Sequence, residues 1–595
     1  MKRLITLLLL TVVSVTVKAQ SSDYDFQAGV LFYKITEPGK EVAVVKDPNS
    51  CIIYSGDIRI PDSVFHDGVY YKVTSLGENI FILASLNYIS IPQAVRSIGA
   101  YCFYGATVDT KFDLPDSLRT IGENAFLFLG GIDRITIPAL VDNIGERAFS
   151  SMPDLQTLEV DSTNEHYSSF DGALYNKDRT SLLCAPAGKM GVFTIPVGVT
   201  TVGKLAFEYC KYHEVVIPNT VTVLKDAAFW GSEYLAILHI PASVTFIDGG
   251  IFAGCKSLYN LTIDSLNQNY VIIDRAIYSS NRDTLVSHHL AKDDIVVGCK
   301  VVGANAFATT SLLRSVEFSE GVESIQYGVF QMSKLRSVTL PQTLKTIGEY
   351  AFGGCHSITN MTIPNSVTEL GREVFAGCSL SSVVMSDSVK VIPYGAFRNC
   401  SVLESYIGGS SVERIEDYAF NHCESMANEI VFPETLKYIG NRAFEMTGIN
   451  SVVFTGIIDT IGAFNFALNM RTLVLVNPTP PYTYNTKVAN SIFKTIIPCG
   501  ATEAYMADPN WSSYSYTEDC DGVEENPMAA VKVTAGYRSI EVLNAEGYSV
   551  AIYDIMGRCH ISEGTTGQNI RHYSLPTAGV YVVRVNDRGY KVVVR

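Results

Sequence analysis

Apolar positions recur along most of this chain with a period of 22 or 23 residues. The stretch from Leu340 to Cys355 reads L-P-Q-T-L-K-T-I-G-E-Y-A-F-G-G-C. The stretch from Ile363 to Cys378 reads I-P-N-S-V-T-E-L-G-R-E-V-F-A-G-C. The marker phenylalanine stands at Phe81, Phe103, Phe126 and Phe149, then at Phe207, Phe229 and Phe252. It resumes at Phe307, Phe330, Phe352, Phe375, Phe397, Phe420, Phe444 and Phe466. A V-x-I piece in each copy alternates and is β-branched, which predicts a short strand with every second side chain buried. The proline after it cannot donate to a ladder and ends the strand. The glycine after Ile347, and its equivalents, suits a tight turn. Ala-Phe then plugs the core. One such unit cannot bury its apolar face alone, whereas stacked copies share a core, so residues 76–500 predict a repeat solenoid.

Two spacings are much longer, 149 to 207 and 252 to 307. The added segments, near residues 161–190 and 264–294, repeat each other at an offset of 103 residues. Phe170, Asp171, Ala173 and Tyr175 match Ile273, Asp274, Ala276 and Tyr278, and Arg179 and Leu182 match Arg282 and Leu285. Each predicts an extra hairpin, turning near Asn176-Lys177-Asp178 and near Ser280-Asn281. Residues 20–75 predict an N-terminal cap of strands around the Asp67-Gly68 turn. Residues 501–530, acidic at Glu518, Asp519, Asp521, Glu524 and Glu525 and followed by Pro527, predict a linker. Residues 531–595 predict a small all-β sandwich, with strands at 539–542, 548–553, 580–585 and 591–595.

The I-P-x-S-V-x-x-I-G-x-x-A-F-x-x-C pattern resembles the leucine-rich repeat family, specifically its BspA-like class. That resemblance implies a right-handed β-solenoid or horseshoe with short strands, and adhesion to host extracellular-matrix proteins or to other bacteria. The tail resembles the type A C-terminal sorting domain of the type IX (Por) secretion system. The match is carried by Val550 to Arg558, by Leu575 to Tyr581 with Gly579, and by the terminal Lys591 to Arg595. It implies type IX machinery as a partner, passage across the outer membrane of a Bacteroidetes-type bacterium, and surface attachment.

Charge and the N-terminus sharpen this picture. Lys and Arg total 45 against 60 Asp and Glu, a net charge of −15, which argues against a nucleic-acid partner. Lys2-Arg3, an apolar run from Leu4 to Val17, and small residues at Val17 and Ala19 predict a signal peptide over 1–19, cleaved between Ala19 and Gln20. No later stretch is apolar for long enough to span a bilayer, so the mature chain is expected to lack a transmembrane segment.

Motifs for chemistry are sparse. Gly198 to Lys204 mimics a phosphate-binding loop, but Leu205 replaces the Ser or Thr that would hold Mg²⁺, and Gly203 is the repeat glycine. His288-His289 lies in the second insert, where a solvated loop is expected. Cys210, Cys255, Cys355, Cys378, Cys400 and Cys423 all stand three residues after the marker Phe, predicting a ladder of buried thiols. Cys499 and Cys520 flank the last turn, where a disulfide is one option. No catalytic, cofactor or metal residue is assigned, and the chain is read as a binding protein rather than an enzyme.

The binding surface is expected on the outward positions of the strands: Arg134, Thr136, Thr157, Glu159, Ser315, Glu317, Ser337, Thr339, Asn360 and Thr362. A long ribbon of small polar residues suits binding a macromolecule by area. The partner is expected to be a protein on host or neighbouring cells, with a surface glycan as the alternative.

Overall fold

The computed structural model describes residues 24–47, 53–288, 290–463, 465–466, 469–484, 487–489, 491–520, 532–536, 539–543, 549–554, 559–564, 570–575, 579–585 and 588–594. Ala19, Gln20 and Arg595 lie outside the described residues. The chain divides into two compact units, Met1–Ile247 with Cys255–Gln268, and Asp248–Gly254 with Asn269–Arg595. Each contains stacked coils that are almost entirely strand and turn.

A coil makes two short strands, each pairing in parallel with its equivalents. The first is the V-x-I strand, as in Arg134–Ile137 beside Thr157–Val160. The second is a two-residue rung just before the repeat glycine, as in Ser324–Ile325, Thr346–Ile347 and Glu369–Leu370. Gly371 is not there for conformational freedom. A Cβ on it would stand 2.0 Å from the backbone nitrogen of Glu349, so the neighbouring coil demands its small size. That replaces the tight-turn expectation.

The return segment is irregular but periodic. In mid-array the residues two before and two after the marker Phe are left-handed. Tyr350 (φ 53) and Gly354 (φ 70) flank Phe352, and Glu373 (φ 49) and Gly377 (φ 69) flank Phe375. A non-glycine residue there costs about 1–2 kcal/mol. The alternation sends every second N–H toward the next coil. Tyr350, Phe352 and Gly354 donate to the carbonyls of Arg372, Val374 and Ala376 at 3.0, 2.9 and 2.8 Å.

The marker rings therefore stack. From Phe307 to Phe466 successive centroids are 5.1–5.9 Å apart. In the first unit, Phe81, Phe103, Phe126 and Phe149 stack at 5.1–5.5 Å. The thiol ladder is buried and also hydrogen-bonded. Cys355, Cys378, Cys400 and Cys423 donate to the carbonyls of Phe330, Phe352, Phe375 and Phe397, one coil back, at 3.0, 2.9, 3.1 and 3.1 Å. Ser232 takes the same place and donates to Phe207 O at 2.6 Å.

Each insert is a three-stranded meander rather than one hairpin. In the first unit Tyr167–Phe170, Ala173–Asn176 and Ser181–Cys184 pair antiparallel, with a first turn at Asp171 and Gly172 that precedes the expected one. In the second unit Tyr270–Ile273, Ala276–Ser279 and Thr284–Ser287 do the same, turning at Asp274 and Arg275. The third strand of each pairs in parallel with the next two-residue rung, so the insert is built into a coil. Asn164 anchors the first insert by donating to Pro138 O and Val141 O, and Asn267 makes the matching pair of bonds, to Pro241 O and Val244 O, within the first unit.

Both ends of the array differ from the expected boundaries. Ser55–Arg59, inside the expected cap, already pairs in parallel with Ser85–Ser90 as a V-x-I rung. Of the expected linker, residues 501–520 form a terminal coil instead. It comprises helix Thr502–Ala507 and strand Tyr516–Asp519, which pairs with Ser491–Pro498. Trp511 is fully buried there, and its indole N–H donates to Pro481 O at 3.1 Å. Such burial of aromatics holds a segment that its acidic end alone would leave solvated. Cys499 and Cys520 are joined in a disulfide across this coil.

The tail forms two antiparallel sheets, one of three strands and one of four. Ile540, Val542, Val550, Ile552, Tyr573, Leu575, Val583 and Val585 share its core. Gly579 and Tyr581 lie on strand Gly579–Val585, and Lys591 on Arg588–Val594.

Two substitutions test the stack. Phe352→Ala removes a ring held between Phe330 and Phe375, and should cost about 3–5 kcal/mol. Hydrogen exchange should show protection lost first in the two flanking coils, because stability in such arrays is nearest-neighbour. Cys378→Ser keeps a donor for Phe352 O and should stay within about 1 kcal/mol of the parent. Cys378→Val loses the donor and adds bulk, at about 1–3 kcal/mol. Denaturant unfolding of the pair reads the difference, and equal losses would discount the hydrogen bond.

Candidate partner-binding surface

Strand geometry sets the ribbon. In Arg134–Ile137, Ile135 and Ile137 point into the core while Arg134 and Thr136 are exposed. Parallel register places Arg134 beside Thr157 and Thr136 beside Glu159. Arg134 donates to Glu159 at 2.6 Å, so the two charges offset each other at the surface. Such exposed pairs contribute about 0–1 kcal/mol.

In the second unit, Leu312–Phe318 pairs with Ser337–Thr339, aligning Ser315 with Ser337 and Glu317 with Thr339. The Ser315 hydroxyl donates to Asp294 at 2.7 Å. Asn360 and Thr362 open a separate strip, in which Asn360–Thr362 pairs with Ser382–Val384 and then Ser405–Ile407. The Ser382 hydroxyl donates to the Asn360 side-chain Oδ1 at 2.5 Å. The ten ribbon residues thus fall into three strips, and several are already hydrogen-bonded from coil to coil.

Two open clefts border these strips. One, of about 530 Å³, lies at the first insert and includes Asp161, Tyr167, Lys177, Asp178 and Arg179. Its cations are engaged. Lys177 donates to Asn164 O, and Arg179 lies 5.5 Å from the Phe170 ring centroid and donates to Ser169 O. The other, of about 320 Å³, lies beside Leu312–Phe318 and includes Asp293, Ser311, Arg314, Lys334, Arg336 and Ser357. Coil stacking brings these cations together from segments some twenty residues apart. No signal in the linear sequence marks the cluster, because Arg314 stands one repeat away from Lys334 and Arg336.

The remaining chemistry-bearing groups have structural roles. Lys204, from the phosphate-loop mimic, pairs with Glu146 at 2.7 Å and reaches Asp226 at 3.9 Å. A ligand constellation among the described residues is Cys499, Glu518 and Cys520, but both sulfurs are committed to the disulfide. Sequence reasoning missed a buried ion pair. Arg147, two residues before Phe149, donates through Nε to Glu208 at 3.0 Å. Burial raises the Glu208 carboxyl above its usual range, with Arg147 acting against that shift. The pair spans the first insert, from the coil before it to the coil after it.

His288 is not in a solvated loop. Its backbone N–H donates to Ala306 O at 2.8 Å, the bond a marker Phe makes in other coils, and its ring lies 5.7 Å from that of Phe307. The equivalent in the first insert is Ala185, which donates to Ala206 O. Burial pushes the His288 imidazole down to about 4, with Asp274 opposing. His289 lies outside the described residues. Among the described residues no helix is long and apolar enough to cross a membrane.

The family comparison agrees with this architecture. A family model described as "BspA type Leucine rich repeat region (6 copies)" matches residues 72–179, 187–292, 286–404 and 396–495. A leucine-rich repeat protein from Eubacterium ventriosum is 26% identical, with 59% of this chain and 94% of that one covered and a TM-score of 0.32. A leucine rich cell surface protein from Faecalibacterium prausnitzii is 23% identical over 74% of this chain and 96% of that one, with a TM-score of 0.33. A leucine-rich repeat protein from Bacteroides ovatus is 19% identical over 83% of this chain and all of that one, with a TM-score of 0.26. No curated protein matches the chain significantly.

The partly buried histidine makes stability depend on acid. The unfolded chain binds a proton near pH 6.5 and the folded chain only near 4, so stability falls as pH drops through that window. The loss between pH 7.5 and 5 should be about 2 kcal/mol at most. His288→Phe should remove that step and lengthen the ring stack. Melting temperatures of both proteins at pH 7.5 and 5 check this, and an unchanged acid step in the variant would show that other groups cause it.

Proposed function

The chain belongs to the BspA-type leucine-rich repeat family, and on that premise we propose that it is a surface-displayed binding protein. In this reading it is an adhesin that engages host extracellular-matrix proteins or other bacteria. The observation that carries it is the outward row of the V-x-I strands. Parallel register repeats Ser315 beside Ser337 and Glu317 beside Thr339 at rung spacing, on a backbone fixed by hydrogen bonds on both sides. A rigid, extended and largely polar surface of this kind favours recognition by contact area. Arg134, Thr136, Thr157 and Glu159 form the corresponding strip of the first unit. Asn360 and Thr362 begin the third strip.

A second reading, a surface glycan-binding protein without catalytic activity, is favoured by the cleft at Arg314, Lys334 and Arg336. It adjoins the strip of Ser315 and Ser337.

Export completes the proposal. Residues 1–19 act as a signal peptide cleaved between Ala19 and Gln20. Residues 531–595, with Gly579, Tyr581, Lys591 and Arg595, act as a type IX sorting domain that delivers the protein to the outer-membrane surface of a Gram-negative bacterium. The separate core of the tail supports this, because a domain that folds by itself can be removed without unfolding the coils.

Deleting Val531 to Arg595 should leave a folded repeat array that loses its signal peptide and accumulates in the periplasm. The full-length chain should reach the surface. Fractionation and surface protease accessibility in a host with this secretion system measure the difference. Equal surface display of both forms would make the tail an ordinary domain. The binding reading is tested with the full chain against immobilised matrix proteins and whole bacterial cells.

A further inference from the structure

The cleft of Arg314, Lys334 and Arg336 stands out in a protein of net charge −15. Arg314 and Arg336 precede the paired residues Ser315 and Ser337 on adjacent coils, and the Arg336 N–H donates to Arg314 O at 2.8 Å. Their side chains therefore rise side by side, with Lys334 beside them on the same coil as Arg336. One carboxylate faces them. The Arg314 Nε lies 4.0 Å from Asp293, the outer limit of an ion pair. Among the described residues, neither Lys334 nor Arg336 has a carboxylate partner, and both are exposed. Most other cations discussed above are paired: Lys204 with Glu146, Arg134 with Glu159, Arg147 with Glu208. The cleft thus keeps uncommitted positive charge together with two hydroxyls, on Ser311 and Ser357.

We infer that this cleft is a binding site for an anionic sugar, one bearing a carboxylate or a sulfate, within a surface glycan. The inference rests on the reading of the chain as a surface binding protein and names a ligand class for it. Paired guanidinium groups match the oxygens of a carboxylate or sulfate bidentately. The serine hydroxyls suit the neighbouring ring hydroxyls. No aromatic side chain lines the cleft, which disfavours single-stranded nucleic acid, where bases need stacking platforms. The volume of about 320 Å³ is that of a site for one or two sugar units. A long dense polyanion would meet repulsion from the rest of the molecule.

The test uses the full chain and calorimetric titration with five probes. These are a sulfated glycosaminoglycan oligosaccharide, an oligogalacturonate, a neutral oligosaccharide of equal length, a polyglutamate peptide and a single-stranded oligonucleotide. The expected result is binding of the sulfated sugar, the carboxylated sugar or both, weakening as salt rises, with no binding of the neutral sugar. Arg336→Ser and Lys334→Ser should each weaken it about tenfold or more. Both side chains are exposed and unpartnered, so melting temperatures should not move. Asp293→Asn should tighten binding. Failure of both anionic sugars to bind, affinity unchanged in both variants, or preference for the peptide or oligonucleotide would each overturn the assignment. Matrix-protein and cell binding, measured on the same variants, separates the two levels. If that binding persists while no sugar binds, the anion site falls and the surface-binding reading stands.

Discussion

The coil-to-coil hydrogen bonds of the return segment are the constraint on which the rest depends. Three alternate N–H groups around the marker Phe donate to the next coil, as Tyr350, Phe352 and Gly354 do to Arg372, Val374 and Ala376. That ladder sets one spacing for everything stacked on it. Rings then repeat at about the separation of hydrogen-bonded strands. Thiols fall within reach of the preceding Phe carbonyl, and a side chain at Gly371 would strike Glu349. The left-handed residues are a local cost that only the ladder offsets. A single coil would have the cost without the bonds, which is why the array is cooperative between neighbours and has no stable isolated repeat.

The inserts show what happens where the ladder is interrupted. Each replaces a marker Phe by something smaller or more polar, Ala185 in one unit and His288 in the other, while keeping the backbone bond to the next coil. The ring stack is broken at Ala185 and continued only by a tilted imidazole at His288, and other interactions stand in. In the first unit Arg147 reaches Glu208 in the coil beyond, and removing either partner of a buried pair leaves a charge that costs about 3–5 kcal/mol. In the second, the imidazole is kept neutral by burial. Asn164 fastens the first meander to the coil before it, and Asn267 repeats the same pair of bonds 103 residues on. The offset of 103 residues is therefore a repeated structural solution as well as a repeated sequence.

Much of this was legible in the chain because its period is one residue type at one spacing. The marker Phe, the thiol ladder and the outward strand positions all follow from that. What was not legible has physical causes. Tyr350, Glu373 and Arg147 have no preference for left-handed backbone, so their conformation comes from tertiary hydrogen bonds and no local signal announces it. The terminal coil at 501–520 was hidden because its acidic end resembles a linker, while its stability comes from Trp511 and Tyr505 buried against distant segments. The first turn of the second insert, at Asp274-Arg275, lacks the glycine that marks Asp171-Gly172 in the first, so no turn signal is common to the two inserts. The cleft cations were invisible because Arg314 and Arg336 become neighbours only when coils stack.

Stacking also decides how the outer surface can recognise anything. Arg134 with Glu159, Ser315 with Asp294, and Ser382 with Asn360 are polar groups already satisfied by their neighbours one coil away. A partner contacting them exchanges one set of hydrogen bonds for another, and the net gain per bond is about 0.5–1.5 kcal/mol at best. Serine and threonine are also poor anchors at interfaces, where arginine and aromatic residues dominate. A ribbon of this composition gives shape and register more than affinity. Affinity must then come from groups the coils do not satisfy among themselves. On the second unit, Lys334 and Arg336 meet that condition where the ribbon of Ser315 and Ser337 ends, which places uncommitted charge beside a rigid polar surface able to orient what the charge attracts.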